Sequence, residues 1–158
     1  MAIRNIVRTG NEILSKTTKK VVSFDDNLSL LLDDMYETML ENDGIGLAAP
    51  QVGILKQIAV VEVNGTKLDL INPEIIYMEG EEEGIEGCLS VPNVNGYVNR
   101  PTTIVVRAVD RDNVPFELKC SGLLARCICH ELDHLKGVLF TDIMTRPYVP
   151  KQNKKDDK

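Results

Sequence analysis

Both histidines of the chain stand in one five-residue pattern, His130-Glu131-Leu132-Asp133-His134. On a helix, residues i and i+4 stack on one face, so the two imidazoles can grip a single metal ion. Glu131 lies about 100° further round the helix than His130, close enough to act as a base on a water beside that ion. The chemistry this arrangement supports is metal-assisted hydrolysis. Two unrelated surface histidines on a polar helix would spell the same letters. The flanks argue otherwise, because nearly every position from Leu123 to Leu135 is apolar or belongs to the motif, Arg126 and Asp133 excepted. A helix apolar on most sides is buried in the middle of its protein.

A catalytic metal usually takes three protein ligands and keeps a fourth position open. With Gly137 the sequence matches a longer form of the motif that ends in a third histidine, but Phe140 stands at that place. Glutamate does not occur after Glu131, which leaves Asp142 as a nearby and weaker carboxylate. Upstream, Cys88 is the best soft donor. Cys120 precedes the helix, and Cys127 and Cys129 lie too near His130 along it to converge with both rings. Taken alone, Cys88 also reads as a buried structural thiol. As a ligand it completes a Cys-His-His set that suits Fe(II) or Zn(II).

Several elements must position these groups. Residues 1 to 24 read as an arm lying on the domain. Asp25-Asp26-Asn27 starts a helix whose Leu28, Leu31, Leu32, Met35 and Met39 recur at three- and four-residue steps as far as Glu41. Gly44-Ile45-Gly46 breaks that pattern and leads to Gln51, whose amide must be hydrogen-bonded if buried, either as a structural bridge or as part of a site. Gln57 to Val63 is a strand, Asn64-Gly65 a hairpin turn, and Lys67 to Ile71 the return strand. Asn72-Pro73 reads as a turn before a third strand, Glu74 to Met78, and Glu79 to Gly84 as an acidic, solvated loop. A short extended piece covers Tyr97 to Arg100. Thr102 to Val109 and Val114 to Lys119 form a second hairpin, after which Ser121 can cap the motif helix. Arg100 and Asp133, charged in apolar settings, are expected to pair, because an unpaired buried charge costs several kcal/mol.

The length of 158 residues suits one domain with one core. With 43% apolar and 27% charged residues the composition is that of a soluble globular protein. A net charge of −6 argues against general nucleic-acid binding. Apolar runs fall short of the roughly 20 residues that span a bilayer, and the first residues lack the apolar core of an export signal. A cytoplasmic location follows, in which the four cysteines stay reduced. The catalytic domain is expected over residues 1–147, with a lysine-rich, disordered tail over 148–158.

Three segments stand in an order and spacing that resembles the signature motifs of the peptide deformylases. They are Gly44-Ile45-Gly46-Leu47-Ala48-Ala49-Pro50-Gln51, Glu86-Gly87-Cys88-Leu89-Ser90 and His130-Glu131-Leu132-Asp133-His134. The similarity runs from about Ile3 to Met144. It implies an α+β fold, with antiparallel and mixed β-sheets packed around a central buried helix that carries the HExxH motif. It also implies hydrolysis of the N-formyl group from the formylmethionine of newly made polypeptides, with release of formate. Cys88, His130 and His134 would hold one divalent metal ion, Fe(II) in the cell with Zn(II) or Ni(II) as alternatives. Glu131 would move the proton, while the Gln51 amide and the Leu89 backbone N–H would donate to the oxyanion. Gly44, Ile45, Gly46 and Gly87 would meet the extended peptide, and Ile45, Leu123 and Cys127 its methionine side chain. Formylmethionyl nascent chains are the implied substrate, with the ribosome as a further partner and no part for a membrane or sequence-specific nucleic acid.

The chain departs from the commonest family pattern in places. Arg126 replaces an isoleucine at the side-chain pocket, Cys129 a glutamine, and Asn95 an arginine that contacts substrate. The tail also lacks a ribosome-docking helix. Two other readings are a zinc peptidase cutting internal bonds and a metal-binding relative without catalysis. The missing downstream ligand speaks against the first, and the intact Gln51, Cys88, Glu131 and histidines against the second.

Overall fold

The structure is a computed structural model that describes residues 2–149. Helix α1 spans Asp26–Glu41, and Asp25 caps it by accepting the Leu28 N–H at 3.1 Å. Five strands, β1 (Gly46–Ala48), β2 (Ile58–Val63), β3 (Thr66–Glu79), β6 (Thr103–Val109) and β7 (Pro115–Ser121), form one antiparallel sheet in the order β1-β2-β3-β6-β7. Strands β4 (Glu82–Cys88), β5 (Val91–Arg100) and β8 (Arg146–Pro147) make a second sheet in that order. The motif helix α2 runs from Gly122 to His134, and one further turn, α3, from Phe140 to Ile143.

Strand β2 is buried on both faces, which explains its unbroken apolar run. Ala59 and Val61 point to α2 and pack with Ala125, Ile128 and Leu132. Ile58 and Val60 point the other way, onto Leu32, Met35 and Met39 of α1. Each fully buried aliphatic side chain contributes roughly 1.5–3 kcal/mol, so this stack of α1, sheet and α2 fixes the motif helix firmly on the sheet. The amphipathic pattern of α1 and the buried character of α2 are as expected. So is the arm: the Thr18 hydroxyl donates to the Leu135 carbonyl at 2.8 Å, and Arg4 pairs with Asp34 at 2.9 Å.

Four expectations need correction. Asn72-Pro73 is not a turn but a bulge inside the single long strand β3. The register shifts between Ile71 and Glu74, and Asn72 takes a left-handed φ of +52°. Its side chain replaces the lost ladder bonds by pairing with the Val21 backbone at 2.8 and 3.0 Å. The acidic loop is shorter than expected, since Glu82 to Gly84 already belong to β4 and pair with Arg100 to Val98. The extended piece at 97–100 is the end of a strand that starts at Val91. Ser121 occupies the N-cap position without a capping bond, because its hydroxyl faces that of Thr103 at 2.8 Å across the β6–β7 pair.

The folded body also reaches past residue 147. The Tyr148 N–H donates to the Asn95 carbonyl at 2.9 Å, and its ring stands edge-on to Tyr97. The rest of the expected tail, 150–158, lies outside the described residues. Among the described residues no helix is long and apolar enough to cross a membrane.

Candidate metal centre and catalytic cleft

The last turn of α2 presents His130 and His134 from one face, and the end of β4 brings Cys88 up to them. One donor atom from each of the three lies within 4.8 Å of the others. The Cys88 Sγ is 3.3 Å from His134 Nε2, and the two imidazole rings are 5.1 Å apart. The third member of the cluster therefore comes from upstream. Asp142 is turned away from the cluster and accepts the Leu139 N–H at 2.9 Å. Phe140 packs flat on the His130 ring, with centroids 6.1 Å apart, and is fully buried.

The chemistry of this donor set fits a divalent cation. Burial works against a charge on His130, yet Cys88 and Glu86 outweigh it and raise the ring to about 10, so a cation bound there takes the place of a ring proton. His134 is pushed down to about 3 by burial and by His130, which keeps its ring neutral as a ligand must be. A thiolate with two imidazoles is a soft-to-borderline set of the kind that Fe(II) and Zn(II) take.

Glu86 sits behind the metal ligands. On a strand, residues two apart share a face, so Glu86 turns inward with Cys88. Its carboxylate accepts from His130 Nδ1 at 2.9 Å, from Arg100 Nε and Nη2 at 2.8 and 2.9 Å, and from Arg126 Nη1 at 2.8 Å. Burial raises its pKa, but the Arg100 and His130 bonds win and hold it at about 2. The bond to Nδ1 fixes the ring so that Nε2 faces the cluster. Arg100 also donates to Asp133 at 2.6 Å, as the two isolated charges in the sequence suggested.

Arg126 stands at the side-chain pocket, as expected, but turns its charged end inward. Its side chain is buried and its guanidinium donates to Glu86 and to the Val98 and Glu82 carbonyls at 2.9 and 3.0 Å. Glu86 and the pairing of Arg126 had no role in the sequence reading. The signal was present in the two-residue spacing from Glu86 to Cys88.

A cavity of about 340 Å³ opens onto these groups. Gly44, Ile45, Gly46, Gln51, Gly87, Cys88, Leu89, Leu123, Cys127, His130 and Glu131 all line it, so every expected site residue except His134 meets there. His134 lies deeper, 1% exposed. Glu131 is enclosed, and burial pushes its carboxyl up to about 7. One of its oxygens, Oε1, is buried without a partner among the described residues, as is His134 Nδ1. Gln51 is held by two bonds: its Oε1 accepts the Ala48 N–H at 3.0 Å and its Nε2 donates to the Ser90 hydroxyl at 3.1 Å. The second Nε2 hydrogen is directed at Cys88 Sγ, 3.5 Å away. Gly46 must be glycine because an added Cβ would lie 2.5 Å from Glu131 Oε2 and 2.8 Å from Cys127 Sγ.

The fold and cleft together are those of a hydrolase built on an HExxH helix, with the thiol of a strand residue brought up to the two histidines. Residues 3–149 match the family model described as polypeptide deformylase. The chain belongs to that family. It is 52% identical over 151 residues to peptide deformylase 1 of Bacillus subtilis, covering 94% of each chain. It is 53% identical over 146 residues to the peptide deformylase of Caldicellulosiruptor bescii, covering 92% of this chain and 88% of that one. Among solved structures it resembles the peptide deformylase of Thermotoga maritima with a TM-score of 0.89 and 38% identity, covering 90% of this chain and 98% of the other.

Proposed function

We propose that the protein removes the N-formyl group from formylmethionyl polypeptides, giving formate and a free amino terminus. The observation that carries this reading is the convergence of Cys88, His130, Glu131 and Gln51 on one cavity, with His134 behind it beside Cys88 and His130. Cys88, His130 and His134 would hold a divalent cation, and that ion supplies Lewis-acid chemistry by making a water acidic enough to attack near neutral pH.

The rest is the work of the chain's own side chains. Glu131, with a pKa near neutrality from burial, takes a proton from the attacking water and returns it to the leaving amine nitrogen. The formyl C–N bond breaks as the amine leaves, and the water oxygen stays with the formate. Charge builds on the formyl oxygen during attack, and the Gln51 Nε2–H and the Leu89 backbone N–H donate to it. Losing one such donor typically costs about 10²–10³ in rate.

The peptide backbone lies extended as an added strand. Strands β1 and β4 are free edges of their respective sheets, and both line the cavity. Gly44 to Gly46 allow the close approach, while Ile45, Leu123 and Cys127 form an apolar seat for the methionine side chain. A formyl group bears only hydrogen beyond its carbonyl, so the enclosed carboxylate of Glu131 leaves room for formyl and excludes acetyl.

Formate release from formyl-methionyl peptides, with acetyl-methionyl peptides inert, is the expected result. Release no faster than in buffer, with Fe(II) or Zn(II) supplied and oxygen excluded, would refute the function. Glu131→Gln should keep the metal and lose turnover, whereas His134→Ala should lose both. Fe(II) is the proposed ion in the cell, with Zn(II) and Ni(II) as working substitutes; metal analysis after anaerobic purification decides it. The cytoplasm is the proposed location. Contact with the ribosome through Lys151, Lys154, Lys155 and Lys158 is tested by salt-dependent co-sedimentation.

A further inference from the structure

We propose that the backbone N–H groups of Val7 and Thr9 position the oxyanion donors by tying the Gln51 turn to the Leu89-Ser90 turn. The proposal rests on the role given above to Gln51 and Leu89. Those two residues come from segments nearly forty residues apart in sequence, and neither segment is a strand neighbour of the other. Besides the bond from the Gln51 amide to the Ser90 hydroxyl, their relative placement needs a backbone link outside the sheets.

The arm supplies one. The Val7 N–H donates to the Gln51 carbonyl at 2.7 Å, and the Thr9 N–H donates to the Ser90 carbonyl at 2.7 Å. The Val7-Arg8-Thr9 segment, which runs into a turn at Thr9-Gly10, thus acts as a ruler between the two carbonyls. Ile6, just before it, packs in the same apolar cluster as Leu89.

The ruler is itself fixed. On its N-terminal side the Arg4 N–H donates to the Thr38 hydroxyl at 2.8 Å, and Asp34 receives the Ala2 N–H at 2.7 Å and the Arg4 guanidinium. On its C-terminal side Thr18 is bound to the carbonyl of Leu135, the residue after the last metal ligand. The arm therefore bonds to two of the motif segments and to the residue that follows the third. Within the frame it sets, the Gln51 amide spends one N–H on Ser90 Oγ and keeps the other on the Cys88 side, where a substrate oxygen arrives. A small misplacement of such donors is costly in rate and cheap in binding, because they act on the charge that develops in the transition state.

The test compares Val7→Pro, which deletes the donor, with Val7→Ala, which keeps it, in the full chain loaded with Zn(II). For Val7→Pro, kcat on a formyl-methionyl peptide should fall about 10-fold or more, with KM and bound zinc unchanged. Val7→Ala should restore the wild-type kcat. Wild-type kcat in Val7→Pro, or an equal loss in both variants, overturns the proposal. Should Val7→Pro not fold, amide hydrogen exchange of the wild-type protein decides the matter. The Val7 and Thr9 amides should exchange far more slowly than that of Arg8, and equal exchange overturns it. Gln51→Ala is measured alongside: full turnover there removes the oxyanion role and the strap with it. Loss in Gln51→Ala without loss in Val7→Pro removes only the strap.

Discussion

Replacing Glu86 with glutamine should damage the protein twice over. The carboxylate is 5% exposed and is the common acceptor of Arg100, Arg126 and His130. Glutamine keeps the shape but removes the negative charge and turns an NH₂ toward donors that have nowhere else to go. Arg100 retains Asp133 at 2.6 Å, and Arg126 retains two carbonyls, so part of the compensation survives. Removing one partner from a buried ion pair costs about 3–5 kcal/mol. With the surviving bonds, we expect the lower part of that range, out of the roughly 5–15 kcal/mol that typically separate folded from unfolded protein. The second effect falls on His130, whose Nδ1 loses a charged acceptor; metal affinity should fall about 10- to 100-fold. Urea unfolding of the Zn(II) form would show a lower midpoint with an unchanged slope. Competition with a chelator would show the weaker metal binding. A stability loss under about 1 kcal/mol, together with unchanged zinc affinity, would refute the role given to this carboxylate.

Other outcomes follow from single contacts. Gly46→Ala should leave the fold intact and lower kcat/KM about 100-fold, because the new Cβ would displace the Glu131 carboxylate; steady-state kinetics beside circular dichroism checks this. Gly84→Ala would place a Cβ 2.7 Å from Arg126 Cζ and should cost about 1–3 kcal/mol. Adding Arg126→Leu should then cost less than it does in the wild type, a coupling that a double-mutant cycle in urea measures. Asp34→Asn should unfasten the arm and lower stability by about 1–3 kcal/mol at neutral pH. Burial raises the Asp34 pKa, but the Ala2 N–H and Arg4 bring it below the ordinary 3.8. Its contribution is therefore full above pH 3.8 and fades as the pH falls further. The difference between Asp34→Asn and wild type should shrink over that acid range, and a difference that grows there would contradict the assignment.

The elements that carry the chemistry were legible because local rules decide them. The α1 pattern, the Asn64-Gly65 hairpin and the burial of α2 all follow from periodicity and turn chemistry, and the structure has them. Cys88 was reachable by elimination, since ligand number and donor softness left few candidates. What stayed hidden depends on contacts between distant segments. Asn72-Pro73 spells a turn locally, but tertiary pairing with β6 and with Val21 carries the strand through it as a bulge. Arg126 reads as a charge set into the side-chain pocket until β4 and β5 supply a carboxylate and two carbonyls in the interior. The arm's contact with Gln51 and Ser90 runs through its backbone, where side-chain types leave no trace.

The arm also bears on how the chain reaches its folded state. Its bond from Thr18 to Leu135 joins residues 117 apart, and such long-range closures are entropically expensive and form slowly. During synthesis from the N-terminus, Ala2 and Arg4 can meet α1 early, but Thr18 must wait for the motif helix to emerge before the arm is fully docked. The two histidines and the arm's last anchor lie on the same stretch of chain, so docking and completion of the ligand set become nearly simultaneous. An early-docked but inactive species then has little opportunity to accumulate. Refolding followed separately by zinc uptake and by arm protection should give the same rate.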